Sequence, residues 1–127
     1  MLNRVIGNRN FEFADTLRVV YMLREVTGAQ NMRDTLQSIA HLDIDGQIRL
    51  LYISHKVAEK DKALSQEDFT DMLLDNLGIL AITDLVSELA DRLMYSGMAP
   101  EKIEAKKLEV AEAMKTAGAV SSVTDID

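Results

Sequence analysis

Two histidines are the side chains of this 127-residue chain best suited to chemistry near neutral pH. His55 stands four residues before Glu59, a spacing that lets an imidazole and a carboxylate share one side of a helix. Such pairs occur in metal sites and in general-base catalysis. A zinc site needs three or four ligands, however, and the chain has no cysteine and only one other histidine, His41. We therefore expect His55 to be structural, packed beside Leu51 and Tyr52 or paired with Glu59.

Two further patterns are similar to functional motifs but lack a required part. Asp43-x-Asp45-Gly46 is similar to the start of a calcium loop, but its glycine stands at position four rather than six and no glutamate stands at position twelve. We interpret the aspartates as helix caps. Ser54 and His55 are neighbours in sequence, which does not make a catalytic dyad, because such dyads are defined by geometry. We expect no catalytic residue, no metal and no cofactor; finding a stoichiometric metal in the purified protein would support the alternative, an enzyme.

Composition and charge exclude several other classes of protein. The formal net charge of −7 is opposite to what a nucleic-acid-binding protein needs. The longest uncharged apolar run, Leu77–Thr83, is far shorter than the roughly 20 residues of a membrane span. The N-terminus has no apolar signal core, and the lack of cysteine is compatible with a reducing compartment. We expect a cytoplasmic protein that binds neither nucleic acid nor membrane.

The segment Ile79–Ser96 is the strongest predicted helix and the expected centre of the core. Its apolar residues recur at spacings of three and four, which places them on one helix face: Ile82, Leu85, Val86, Leu89, Leu93 and Met94. Polar residues fill the other face, as in an amphipathic helix. Gly97 is placed to end the helix in a left-handed conformation, and Pro100 follows.

The N-terminal stretch Val5–Phe13 is predicted to form a β-hairpin. Phe11 and Phe13 alternate with polar residues, and Gly7-Asn8 suits a tight turn between the strands. Because an isolated hairpin is only marginally stable in water, these phenylalanines must pack on the helices or on a strand of another subunit.

Capping residues and apolar spacing predict four further helices before the central one. Asp15 is the expected N-cap of the first, Thr16–Thr27, although the apolar run Val19–Leu23 leaves a strand open for part of it. The other three begin after Asn31, after Asp43 or Asp45, and after Ser65. We therefore predict a mainly α fold: a single compact helical domain of about five to six helices with a short N-terminal β-hairpin.

The sequence changes character at Pro100. Residues 100–116 are rich in Ala, Glu and Lys and carry a thin apolar stripe, which predicts a peripheral helix outside the core domain, residues 1–99. Residues 117–127 are small and polar and are expected to form a disordered tail. The candidate partner-binding residues are apolar side chains at or beyond the end of the central helix: Tyr95, Met98, Ile103, Val110 and Met114.

The order of these elements resembles that of the tail assembly chaperones of long-tailed (siphovirus-type) bacteriophages and prophages, especially those of Gram-positive hosts. IGNRNFEF is similar to the hairpin with which those chains begin, and DTLRVVYMLREVTG to their long first helix. IRLLYISHKVAEKD is similar to their apolar–aromatic helix and LSQEDFTDMLLD to their acidic helix that starts at serine. Ile79–Tyr95 is similar to their final apolar helix, so the resemblance spans residues 2–97.

The resemblance implies a non-enzymatic protein that binds tape measure and tail tube proteins during tail morphogenesis in the bacterial host cytoplasm and is absent from the finished virion. An acidic helical protein with an apolar groove suits that role, and self-association through hairpin edges or apolar helices is a further expectation. The alternative is an acidic regulatory or adaptor protein that masks a basic, DNA-binding partner. That alternative needs a continuous face of carboxylates, whereas Lys and Arg interrupt the acidic residues along the chain.

Overall fold

The computed structural model describes the backbone of residues 1–126 and the side chains of residues 1–113 and 115. It divides into two units, Met1–Ser96 and Gly97–Asp127. The boundary falls beside Gly97, whose φ of 77° is in the left-handed region that favours glycine.

The first unit is mainly helical with a two-stranded antiparallel hairpin, as the sequence predicts. Its elements in chain order are β1 (Leu2–Ile6), β2 (Arg9–Phe13), α1 (Leu17–Thr27), α2 (Met32–Ser38), α3 (Ile44–Glu59), α4 (Gln66–Asn76) and α5 (Ile79–Met94). Short 3-10 helices at Ile39–His41 and Lys60–Lys62 follow α2 and α3. The run Val19–Leu23 is helical, so the alternative of a strand there is wrong.

The second unit consists of helix α6, Pro100–Ile126, which contains the predicted peripheral helix at residues 100–116. The side chains of Met114 and of residues 116–127 lie outside the described residues. The predicted disordered tail, 117–127, falls in this part and stays a prediction.

Three of the predicted helix N-caps are confirmed by side-chain hydrogen bonds. The side-chain oxygens of the capping residues accept backbone N–H groups at distances of 2.8, 2.8 and 3.1 Å: Asn31 from Asp34, Asp43 from Gly46, and Ser65 from Asp68. These bonds satisfy donors that the first helical turn leaves without a partner. They also show that Asp43, rather than Asp45, opens α3.

The prediction that Asp15 caps the first helix is wrong. The N-cap position belongs to Thr16, whose side chain makes no capping hydrogen bond. The Asp15 carboxylate instead lies 3.0 Å from the N-terminal amine of Met1 and 3.6 Å from a guanidinium nitrogen of Arg92. The two cations draw this carboxylate away from the helix start and link the N-terminus to the end of α5.

The hairpin packs its aromatic residues into the helical core rather than leaving them for another subunit. The rings of Phe11 and Phe13 are buried, and each meets Phe69 of α4 in an edge-to-face contact, with centroids 6.1 and 6.3 Å apart. Five residues of α5 complete the core, namely Ile82, Leu85, Val86, Leu89 and Leu93. The sixth predicted core residue of this helix, Met94, is 60% exposed, so that part of the prediction is wrong.

Hydrogen bonds join the outer edge of β2 to helix α3. The backbone N–H of Ala14 donates to the carbonyl of Ser54 at 3.1 Å, and the buried Ser54 hydroxyl donates to the carbonyl of Ala14 at 2.7 Å. The backbone N–H of Glu12 donates to a carboxylate oxygen of Glu59 at 3.3 Å. This edge of the hairpin is therefore bonded to a helix at Glu12 and Ala14.

Replacement of Ser54 by alanine tests how much this contact stabilises the fold. Ser54→Ala leaves the buried carbonyl of Ala14 without its hydroxyl donor, and we expect the free energy of unfolding to fall by about 1–3 kcal/mol. Urea unfolding measures the change. The exposed Ser87 supplies the control, since Ser87→Ala should alter stability by less than about 0.5 kcal/mol. Equal effects of the two substitutions would contradict the proposed role of this contact.

Candidate functional site

His55 lies at the centre of a buried polar cluster between β2, α3 and the segment before α4. Its Nε2 accepts the backbone N–H of Leu64 at 3.1 Å, which assigns the proton of the neutral ring to Nδ1. A carboxylate oxygen of Glu59 lies 2.7 Å from Nδ1, although it is off the direction of a regular hydrogen bond. The other carboxylate oxygen of Glu59 accepts a hydrogen bond from Arg9 at 2.8 Å.

Burial controls the charge of this cluster. Burial lowers the pKa of His55 below its usual 6.5, and the nearby Glu59 carboxylate only partly offsets that effect. For Glu59 burial acts in the opposite direction and raises the pKa, but the N–H of Glu12, the guanidinium of Arg9 and His55 outweigh it, so the net pKa lies below the usual 4.5. The cluster thus holds a neutral imidazole beside an ionised carboxylate that is paired with Arg9.

The surroundings of His55 identify it as a structural residue. The side chain has no exposed surface, and its ring stacks on Phe69 with centroids 4.9 Å apart and an interplanar angle of 14°. Phe11 and Phe13 cover it further, with centroids at 5.4 and 6.4 Å. A substrate has no path to the ring in this conformation. Within the described residues, no group of three or more His, Cys, Asp or Glu side chains is placed to hold a metal ion.

An apolar groove between α2 and α5 is a better candidate for a functional surface. It encloses about 380 Å³. Its apolar lining comes from α2, the following 3-10 helix and α5: Leu36, Ile39, Ala40, Val86, Ala90 and Met94. At its polar part, the side chains of Thr83 on α5 and Gln47 on α3 form a hydrogen bond of 3.0 Å. Met94, exposed instead of buried, contributes a flexible thioether to this groove.

The candidate partner-binding residues are distributed over both units. Tyr95 is half-buried at the C-cap of α5, next to Met94. In the second unit, Ile103 is half-buried and Val110 is 46% exposed; seven residues apart on α6, they lie on one helix face. Met98, before α6, is 38% exposed, and the side chain of Met114 lies outside the described residues.

Sequence reasoning missed the groove because its two walls are far apart in the chain. Leu36 and Ala90 come from helices that no local pattern connects. The available signal was the position of Met94, at the edge rather than the middle of the apolar stripe of α5.

Comparisons with protein-family models, with curated protein sequences and with solved structures gave no match to this chain. In the part of the chain that the structure describes, no helix is both long and apolar enough to cross a membrane.

The buried histidine predicts a specific dependence of stability on pH. Below about pH 6.5 the unfolded chain binds a proton at His55 that the folded protein, with its lowered pKa, does not bind. The free energy of unfolding should therefore fall as the pH is lowered from 7.5 to 5.5, by up to about 1.4 kcal/mol per pH unit in that window. The lowered pKa of Glu59 adds a further loss only below about pH 4.5.

Urea unfolding of His55→Gln at the same pH values tests this assignment. Glutamine can accept the Leu64 N–H but does not titrate, so the decrease in stability between pH 7.5 and 5.5 should be smaller in this variant than in the parent protein. The exposed His41 supplies the control, because His41→Gln removes a histidine that lies outside the buried cluster. An unchanged pH dependence in His55→Gln would contradict the assignment.

Proposed function

We propose that this protein is a tail assembly chaperone of the long-tailed bacteriophage type. In this proposal it is a non-enzymatic protein of the bacterial host cytoplasm that binds the tape measure and tail tube proteins while the tail is built. The observation that carries the proposal is the apolar groove between α2 and α5 on a chain of net charge −7. The resemblance of the element order to that family supports it.

The groove has the features that a helical partner requires. A tape measure protein is a long helical chain, and an amphipathic helix binds by laying its apolar face into a groove of this kind. Ala40 and Ala90 provide small side chains that allow a close approach of the incoming helix. Met94 can adapt its conformation to several apolar side chains, which suits binding along a partner that presents many similar segments.

The charge of the chain favours the same role. Coating a long apolar partner requires a protein whose other surfaces stay hydrated and repel one another. The exposed residues of α5 include Asp84 and Glu88, which do not line the groove, so the helix that forms one of its walls also carries carboxylates on another side. Copies of this protein bound along a tape measure protein would therefore keep it in solution, and these carboxylates would not obstruct the groove.

Co-expression with tape-measure-like and tube-like proteins of long-tailed phages, followed by affinity capture, tests the proposal. Met94→Glu places a carboxylate in the apolar groove and should reduce capture of the tape-measure-like protein by about tenfold or more. Leu74→Glu is the matched control, since Leu74 on α4 is exposed to a similar extent, 59% against 60% for Met94. Capture of neither protein by the unmodified chain, or equal losses in both variants, would contradict the proposal.

Helix α6 provides a second surface whose role can be tested separately. Replacement of both Ile103 and Val110 by aspartate should weaken partner capture and leave the melting temperature nearly unchanged, because Val110 is exposed and Ile103 only half-buried. Differential scanning calorimetry together with the capture assay measures both effects. A large fall in the melting temperature would show that this face of α6 stabilises the fold instead of binding a partner.

The alternative function, masking of a basic DNA-binding partner, has support from one feature. Helix α4 carries four exposed carboxylates and no Lys or Arg: Glu67, Asp68, Asp71 and Asp75. Three of them recur every four residues and so form a stripe along the helix. Competition between this protein and duplex DNA for a basic partner distinguishes the two proposals, since only charge mimicry predicts displacement of the DNA.

A further inference from the structure

The two edges of the N-terminal hairpin differ in their hydrogen bonding. Strand pairing places Asn3 opposite Glu12 and Val5 opposite Asn10. The N–H of Glu12 points away from β1, toward Glu59 on α3. In an antiparallel pair, residues directly opposite each other share this orientation, so the N–H and C=O groups of Asn3 and Val5 point away from β2. Within the described residues they make no hydrogen bond.

A cleft lies beside this open edge of β1. It encloses about 270 Å³, slightly below the usual range for ligand pockets, which suits one or two side chains rather than a whole cofactor. Its apolar walls come from the end of α4 and from α5, with Leu77, Ala81 and Leu85. Val5 belongs to the β1 side of the cleft, and its side chain is 68% exposed. The unpaired backbone N–H and C=O groups of β1 therefore lie next to a cleft that can hold side chains.

The cleft is acidic at one end. Asp84 and Glu88 line it one helical turn apart on α5. Glu88 forms an ion pair with Arg4, whereas Asp84 is exposed and forms no ion pair within the described residues. A cation entering the cleft would thus meet an uncompensated carboxylate a short distance from the apolar walls.

We propose that the edge of β1 binds an extended segment of a partner protein as a third strand. Side chains that face α5 recur every second residue of such a strand, about 7 Å apart. The segment that fits carries an apolar residue over Leu77 and Ala81 and, two residues away, a lysine or arginine beside Asp84. This mode of binding is strand addition, in which backbone hydrogen bonds supply affinity and side-chain pockets supply specificity. It involves a surface separate from the α2–α5 groove and does not depend on the function proposed above.

A second copy of this chain does not fit the cleft. The side chains that its β1 would have to insert are already used within its own core, since Leu2 and Ile6 are buried and Arg4 is paired with Glu88. Pairing of two β1 strands about Arg4 would also place two arginines directly opposite each other, which destabilises a sheet. The partner is therefore a different segment whose alternate side chains are free.

Amide NMR titration with two capped peptides tests this inference. The first is Thr-Val-Thr-Lys-Thr-Val-Thr, which presents valine and lysine on one face of a strand; the second has glutamate in place of lysine. The first should shift the amide resonances of Asn3, Val5 and Ala81, and the second should bind about tenfold more weakly because Asp84 repels it. Asp84→Lys should reverse this preference.

Proline substitutions supply matched variants for the two edges. Val5→Pro removes an outward N–H from β1 and should abolish binding, whereas Asn10→Pro removes the corresponding N–H on β2 and should leave binding unchanged. If Val5→Pro unfolds the hairpin, the reversed preference of Asp84→Lys for the glutamate peptide still tests the inference. Absence of shifts at Asn3 and Val5, equal binding of both peptides, or sedimentation showing dimers joined through β1 would each overturn the inference. No tail protein is involved, so the result is independent of the capture experiments.

Discussion

The contact between strand β2 and helix α3 ties the N-terminal hairpin to the helices of the first unit. A two-stranded hairpin is marginal in water, and this one is held by reciprocal hydrogen bonds between Ala14 and Ser54 and by the burial of its phenylalanines. His55, one residue further along α3, fills the space between those rings and Phe69. Because β2 is fixed to α3, β1 is left as the free strand and lies beside α5.

Helix α5 has three different surroundings around its circumference. One side carries the buried residues that the sequence predicts. A second side, which includes Ala90 and Met94, forms a wall of the groove opposite α2. A third, which includes Ala81 and Asp84, forms a wall of the cleft beside β1. The helix that stabilises the core thus also shapes both candidate binding surfaces, and substitutions on its exposed sides can alter binding without removing core contacts.

Local interactions were predictable from the sequence, and interactions between distant segments were not. The caps formed by Asn31 and Ser65 depend on residues three positions away, and the contact of His55 with Glu59 spans one helical turn. Asp15 fits the same local rule, but it does not cap α1, because Met1 and Arg92 compete for its carboxylate. The groove and the cleft each join elements far apart in the chain, so no spacing of residues could reveal them. The net charge of the chain predicted an acidic surface but not which elements carry it.

Helix α3 is bonded to one edge of the hairpin at Glu12 and Ala14, whereas the other edge, that of β1, is open. Amide hydrogen exchange of the free protein, followed residue by residue by NMR, tests this most directly. We expect slow exchange at Glu12 and Ala14, whose N–H groups donate to α3, and fast exchange at Asn3 and Val5, whose N–H groups point outward. Protection of Val5 equal to that of Glu12 would contradict this expectation, since the edge of β1 would then already be covered.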